Sequence, residues 1–318
     1  MTSEIDRFQI LSLDGGGLRG MYSAAVLARF EEDLGVTITD HFDLIAGTST
    51  GGIIAVALGL GVRPRQIVEF YAKLGPTVFR DRGLAGALRQ LVRSKHRVAP
   101  LREALAGVFG ERTFGESTKR LVITSFNLGS NAVYLFRTPH LPTLTRDWRE
   151  SAVDVALATS AAPTYLPAVN LGGIRLVDGG VWANNPVMTA VIEAVGPLAV
   201  PPTAIKVLSL GTTTDIPRRH RRLDRGGLIQ WAHAGVDVLM RAQSISVINH
   251  VGHLLGNSRI KRLDPTVSEG MFALDRADAG EMLGLAAHVS RLEAPHFHAM
   301  FADHVAPTYV PYHPTPKE

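Results

Sequence analysis

At 318 residues the chain can form one large α/β domain with a substantial core, and 46% hydrophobic against 19% charged residues excludes a disordered composition. It has no cysteine, which excludes disulfides, thiolate metal sites and thiol catalysis, and its formal charge is a modest +4. The polar start, Met1-Thr2-Ser3-Glu4-Ile5-Asp6, does not read as a signal peptide, and no apolar run approaches the roughly 20 residues of a membrane span, so a soluble, cytoplasmic protein is expected.

Residues 7–13 read as a first buried strand. They run into Asp14-Gly15-Gly16-Gly17-Leu18-Arg19-Gly20, after which Ala24, Val26, Leu27, Phe30 and Leu34 recur at helical spacing. Gly15-x-Gly17-x-x-Gly20 spells a dinucleotide fingerprint, but that use needs a second strand ending in an acid about 20 residues on. The second strand ends instead in Gly47-Thr48-Ser49. The other use of such a loop is an oxyanion hole, in which consecutive glycines aim backbone N–H groups at one point and the next helix adds its dipole. Arg19 would fix or polarise the loop.

In residues 42–60 one apolar run ends in Gly47-x-Ser49-x-Gly51 and a second follows at once. The pattern is that of a nucleophile elbow: strand, sharp turn, helix, with Ser49 at the apex and glycines where strand and helix nearly touch. The bland alternative is a plain strand-to-helix turn with Ser49 as N-cap. Either way the opening is βαβα, which predicts a parallel sheet with helices on both faces.

Downstream, the pattern predicts a helix over 63–74, a basic, poorly periodic loop over 79–99 and a short helix over 101–109. A hairpin of strands 120–126 and 132–136 and an alanine-rich helix over 151–162 follow. A strand from 173 ends in Asp178-Gly179-Gly180, either an Asp-Gly turn or an acid placed where parallel-sheet ligands bind. Asn185 is suited to cap a helix starting at Pro186. A strand over 204–210, a long helix over 228–255, a strand over 258–263 and a final helix over 280–291 complete the chain.

Positive charge gathers at Arg80, Arg82, Arg89, Arg93, Lys95, Arg97 and Arg102, and again at Arg218, Arg219, Arg221, Arg222 and Arg225. These clusters read as solvated surface, or as a site for anionic headgroups, a membrane surface or a nucleotide phosphate. Neither has the interleaved aromatics of a nucleic-acid platform. His296, His298, His304 and His313 crowd the tail without metal-ligand spacing, so no metal is expected. No repeat or linker divides the chain. A single domain over 1–318 is expected, with its motifs in 8–211 and a helical extension, possible seat of regulation, over 212–318.

Asp14-Gly-Gly-Gly-Leu-Arg-Gly20, Gly47-Thr-Ser-Thr-Gly51 and Asp178-Gly-Gly180, in this order and at strand ends, closely resemble the motifs of patatin-like phospholipases. The resemblance spans residues 8–210. It implies a three-layer α/β/α domain with a mainly parallel central sheet, and a Ser–Asp dyad with Ser49 as nucleophile and Asp178 as general base. The amides of Gly15, Gly16 and Gly17, with Arg19, would form the oxyanion hole, and Gly47 and Gly51 would frame the elbow. Hydrolysis of glycerophospholipid acyl esters without calcium or another cofactor is implied. Two rivals stand beside it: a Ser-Asp-His triad drawing on His220, His233, His250 or His253, and a non-catalytic scaffold that binds lipid or a partner. The chain is also similar to patatin-like effectors of anti-phage signalling, which cyclic nucleotides switch on to degrade membrane phospholipid. That similarity implies a cyclic di- or trinucleotide activator, peripheral membrane contact and no nucleic-acid polymer, with the Arg218–Arg225 cluster and the 228–255 helix serving regulation or homo-oligomer formation.

Overall fold

The computed structural model describes residues 5–78, 96–215, 224–268, 271–272 and 278–313. The basic loop expected over 79–99 falls mostly outside these residues, as do Arg218, Arg219, Arg221 and Arg222.

The chain opens with β1 (Phe8–Leu13), α1 (Gly20–Leu34), β2 (Leu44–Gly47) and α2 (Thr50–Gly59), the βαβα order read from the sequence. Next come α3 (Pro64–Val78), α4 (Val98–Phe109), β3 (Arg120–Asn127), β4 (Ala132–Arg137) and α5 (Ala152–Thr159). A third group comprises β5 (Val169–Leu171), β6 (Ile174–Asp178), α6 (Gly180–Ala183), α7 (Val187–Val195) and β7 (Ile205–Leu210). The chain closes with β8 (Thr214–Asp215), α8 (Leu228–Leu255), β9 (Ile260–Leu263), β10 (Thr266–Val267) and α9 (Ala279–Phe301).

The central sheet has the order β5-β6-β3-β2-β1-β7-β9, with β4 paired to β3 off that path. The run β3-β2-β1-β7-β9 is parallel, whereas β4, β5 and β6 join antiparallel. Helices cover both faces, so the central strands are buried on both and are largely apolar, with the occasional buried polar side chain such as Gln9, Ser12 and Ser209. Leu11, Leu13, Ile45, Ile123, Leu208 and Leu210 face α1, α2, α3, α4, α5 and α9. Ile10, Leu44, Ala46, Val122 and Val207 face α7 and the last turns of α8. This is the three-layer α/β/α architecture that the motifs implied.

The register of β3 brings the motifs together. Its residues 122–127 pair with β4 along one edge. On the other edge, Arg120–Ile123 pair with β2 and Ser125–Asn127 pair with β6. β2 runs parallel to β3 and β6 antiparallel, so these two strands point at each other along the same edge. Gly47 lies opposite Ile123 and Asp178 opposite Ser125, with only Thr124 between them. The strand ending at Asp178 is thus not one of the parallel set, yet its C-terminal end arrives at the C-terminal end of β2.

Several boundaries differ from the sequence reading for local reasons. The helix after Asp178 comes in two pieces. Its second piece starts at Val187 with Pro186 as N-cap, and the Asn185 side chain accepts from the Val187 N–H at 3.1 Å. The final helix passes straight through Pro295 to Phe301, because Phe297 and Phe301 pack with Phe30 and Phe42 and that burial outweighs the missing hydrogen bond. Residues beyond 211 also contribute sheet as well as helix: β9 extends the parallel run next to β7. Phe297→Ala is expected to lower the unfolding free energy by about 3–5 kcal/mol, read from the urea midpoint. A loss below about 1 kcal/mol would mean that α9 lies outside the cooperative unit.

Candidate active site

The elbow is built by removing side chains where backbones touch. A Cβ on Gly51 would stand 2.1 Å from the Leu13 carbonyl oxygen, and one on Gly47 would stand 2.3 Å from the carbonyl oxygen of Gly51. The first turn of α2 can therefore lie directly on the end of β1, where the Thr48 N–H donates to the Leu13 carbonyl at 3.1 Å. Ser49 takes φ +55° and ψ −123°, in the region that costs a non-glycine residue about 1–3 kcal/mol. Buried threonines hold it there. The Ser49 N–H donates to Thr159 Oγ1 at 2.9 Å, and the Thr159 hydroxyl donates to the Thr124 carbonyl at 2.7 Å. The Thr48 hydroxyl donates to the Ala183 carbonyl at 2.6 Å and meets the Thr124 hydroxyl at 2.7 Å. One bland expectation fails here: the Ser49 side chain makes no cap bond to its helix.

Its hydroxyl lies close enough to the Asp178 carboxylate to pull that group's pKa down. Asp178 is 4% exposed and accepts from the Gly180 N–H at 2.7 Å. Burial pushes its pKa up to about 6, against the opposing pull of Ser49 and Gly180. Among the described residues no histidine contributes to that balance. Of the histidines considered for a triad, His250 and His253 lie on α8 near its C-terminal end, and His220 lies outside the described residues. The side chain of His233 is likewise outside them.

The glycine loop touches the elbow: a Cβ on Gly15 would come 3.2 Å from Ser49 Cβ and 2.5 Å from Asn184 Oδ1. Of the three amides expected to face an oxyanion, that of Gly15 is committed elsewhere, because its N–H donates to the Asn184 carbonyl at 3.0 Å. Among the described residues, the Gly16 and Gly17 N–H groups meet no protein acceptor. Arg19 supports the loop, donating from Nε to the Gly16 carbonyl and from Nη1 to the Thr213 carbonyl, both at 3.4 Å. Asp14, first residue of the motif, is buried and held bidentately by Arg262 of β9 at 3.0 and 2.6 Å. Burial raises its pKa to about 6, so it stays ionised opposite the guanidinium at neutral pH.

Sequence reasoning missed Arg262, Asn184, Thr124, Thr159 and Thr212. Thr212 donates to the Gly15 carbonyl at 3.0 Å, and the Asn184 amide donates to the same oxygen at 3.3 Å. Asn184 had a signal, a polar Asn184-Asn185 pair just after Asp178-Gly179-Gly180. Arg262 had none, because a lone arginine in Ile-Lys-Arg-Leu looks like any edge-strand residue. Among the described residues no three or more histidine, aspartate or glutamate side chains gather as a metal site.

In chemical terms the site offers a hydroxyl beside a carboxylate of raised basicity, with two unengaged amides at the start of a helix. A family model described as patatin-like phospholipase matches residues 11–191. A protein of Pseudomonas aeruginosa called cGAMP-activated phospholipase is 36% identical over 87% of this chain and 85% of its own length. One of Escherichia coli with the same name is 38% identical over 59% of this chain and 56% of its own. Among solved structures, VipD of Legionella pneumophila overlays with a TM-score of 0.49 at 11% identity, covering 92% of this chain and 67% of that one.

The sign of the Asp178 shift gives a stability prediction. Its folded value of about 6 lies above the ordinary 3.8, so the folded state binds this proton more tightly than the unfolded one. Stability is therefore lost as pH rises between those values, and the whole penalty stands above pH 6. Asp178→Asn, which keeps an acceptor for the Gly180 N–H, is expected to stabilise the fold by about 1–3 kcal/mol at pH 7.5. The gain should shrink toward pH 4 in thermal melts across that range, and a destabilised Asp178→Asn at pH 7.5 would refute the assignment of burial as the dominant cause.

Proposed function

The chain belongs to the patatin-like phospholipase family, and on that basis we propose that it is a serine lipid acyl hydrolase acting on membrane glycerophospholipid through Ser49 and Asp178. The observation that carries this reading is the β3 register that ends β2 and β6 one residue apart, with Ser49 just past the end of β2 and the buried Asp178 carboxylate at the end of β6. Ser49 attacks the ester carbonyl while its proton passes to Asp178. The developing oxyanion takes hydrogen bonds from the unengaged Gly16 and Gly17 amides, aided by the helix dipole of α1. Asp178 then returns the proton to the departing lysophospholipid alkoxide. A water gives its proton to Asp178 and attacks the acyl-enzyme, and Asp178 passes that proton to the departing Ser49 oxygen as the fatty acid is released. Among the described residues no helix is long and apolar enough to cross a membrane, and the enzyme works on the bilayer from its surface.

A base must be ionised to accept a proton. kcat/KM for acyl release from phospholipid vesicles should therefore rise with pH through about 6 and level off above it. Ser49→Ala should remove turnover, a loss of at least 10⁴-fold, while leaving the melting temperature close to that of the parent. Retained hydrolysis in Ser49→Ala would sink the assignment.

We further infer a cyclic-nucleotide switch. Its support is the P. aeruginosa relative bearing the name cGAMP-activated phospholipase, which aligns over 87% of this chain, well past the family-model match that ends at residue 191. Such a switch would suit a defence enzyme that destroys its own cell's membrane only on signal. Vesicle hydrolysis measured with and without cGAMP should increase at least tenfold on addition. An active enzyme indifferent to cGAMP would remove the switch while leaving the hydrolase in place.

A further inference from the structure

The eight residues from Asp178 to Asn185 touch every part of the site. Asp178 lies beside Ser49, the Ala183 carbonyl takes the Thr48 hydroxyl, and Asn184 clasps Gly15 through both its backbone carbonyl and its side-chain amide. The turn is braced within itself, since the Trp182 and Ala183 N–H groups both donate to the Gly179 carbonyl and the Trp182 indole donates to the Ser125 carbonyl. Its free end is held from outside. Asn185 gives its N–H to Gln243 Oε1 at 3.4 Å and takes the Gln243 Nε2 on its carbonyl at 3.5 Å. Its side-chain amide donates to the Ser244 hydroxyl at 3.3 Å. Gln243 and Ser244 lie midway along α8, far in sequence from all three motifs.

We propose that Gln243 is a positioning residue of the acyl-transfer site, and that Asn184 is the strut through which it acts. The carboxamide of Gln243 completes the backbone hydrogen bonds of Asn185 as a neighbouring strand would, which fixes the peptide that follows Asn184. Asn184 in turn sets the height of the Gly15–Gly17 loop over Ser49, and hence where the Gly16 and Gly17 amides meet an oxyanion. Removing one oxyanion donor typically costs a hundredfold or more in rate, so a small tilt of this loop has a large lever on kcat. Substrate binding along the lipid makes no use of the strut. The inference rests on the acyl-transfer reading above.

The test compares Gln243→Met, Gln243→Glu, Asn184→Ala and Gln243→Met/Asn184→Ala with the parent. Readouts are vesicle hydrolysis in the presence of cGAMP, fluorophosphonate labelling of Ser49 and the urea midpoint. Gln243→Met keeps the volume and loses both bonds. It should lower kcat and the labelling rate about tenfold, with KM within twofold and the urea midpoint unchanged. Gln243→Glu keeps the acceptor for the Asn185 N–H and should recover part of that loss. The double variant should be no slower than the slower single variant, because both changes break one strut. Ile245→Ala, an exposed position two residues on, should match the parent. Parent-like kcat in Gln243→Met, a loss that appears only in KM or the urea midpoint, or losses that multiply in the double variant would overturn the proposal while the hydrolase reading stands. A parent Ser49 that neither labels nor hydrolyses would overturn both, and is distinguished by the parent alone.

Discussion

Ser49 and Asp178 meet because two strands run toward each other along one edge of β3 and stop one residue apart. Strand ladders admit only discrete registers, and a slip of one residue moves a side chain by about 3.3 Å and turns it to the opposite face. The separation of nucleophile and carboxylate is therefore set by ladder hydrogen bonds rather than by loops. Thr124, the residue in the gap, has no room to move: its hydroxyl meets Thr48, its carbonyl takes Thr159, and Gly179 needs its missing Cβ to pass it. Small buried hydroxyls and glycines recur around this junction. Small groups let three backbones converge, and hydroxyls satisfy the polar atoms that such convergence would otherwise strand.

The same junction explains why the site is costly to keep folded. Ser49 sits in a backbone conformation that few side chains adopt, and Asp178 and Asp14 are carboxylates held out of water. The two acids are handled differently. Asp14 is matched by a full guanidinium and serves as an anchor, whereas Asp178 receives only neutral donors. Burial holds both carboxylates at about 6 all the same. What separates them is the partner: a fixed charge pins Asp14, and a hydroxyl that can give up its proton stands beside Asp178.

Much of this was legible in the amino-acid sequence, because the features concerned are local. Gly47-x-Ser49-x-Gly51 encodes its own turn, the apolar runs of β1 and β7 announce burial on both faces, and Asp178-Gly179-Gly180 announces a strand end. What escaped was non-local. Nothing near Asp178 tells that β6 is antiparallel, since that depends on its pairing with β3. The commitment of the Gly15 amide to Asn184 is likewise invisible in a run of three identical glycines. The final helix was legible only over 280–291, and the aromatic packing of Phe297 and Phe301 reveals why it continues past Pro295. Arg262 stands 248 residues from Asp14, so no local pattern connects them.

That last separation has a consequence for how the protein comes into being. Synthesis proceeds from the N-terminus, and by Leu210 a growing chain already carries Ser49, Asp178 and the glycine loop. Asp14 then still lacks the guanidinium that makes its burial tolerable, and β7 still has a bare edge. The side chains of the site are thus encoded early in the chain, and the guanidinium that compensates Asp14, together with the strand that covers the β7 edge, is encoded late.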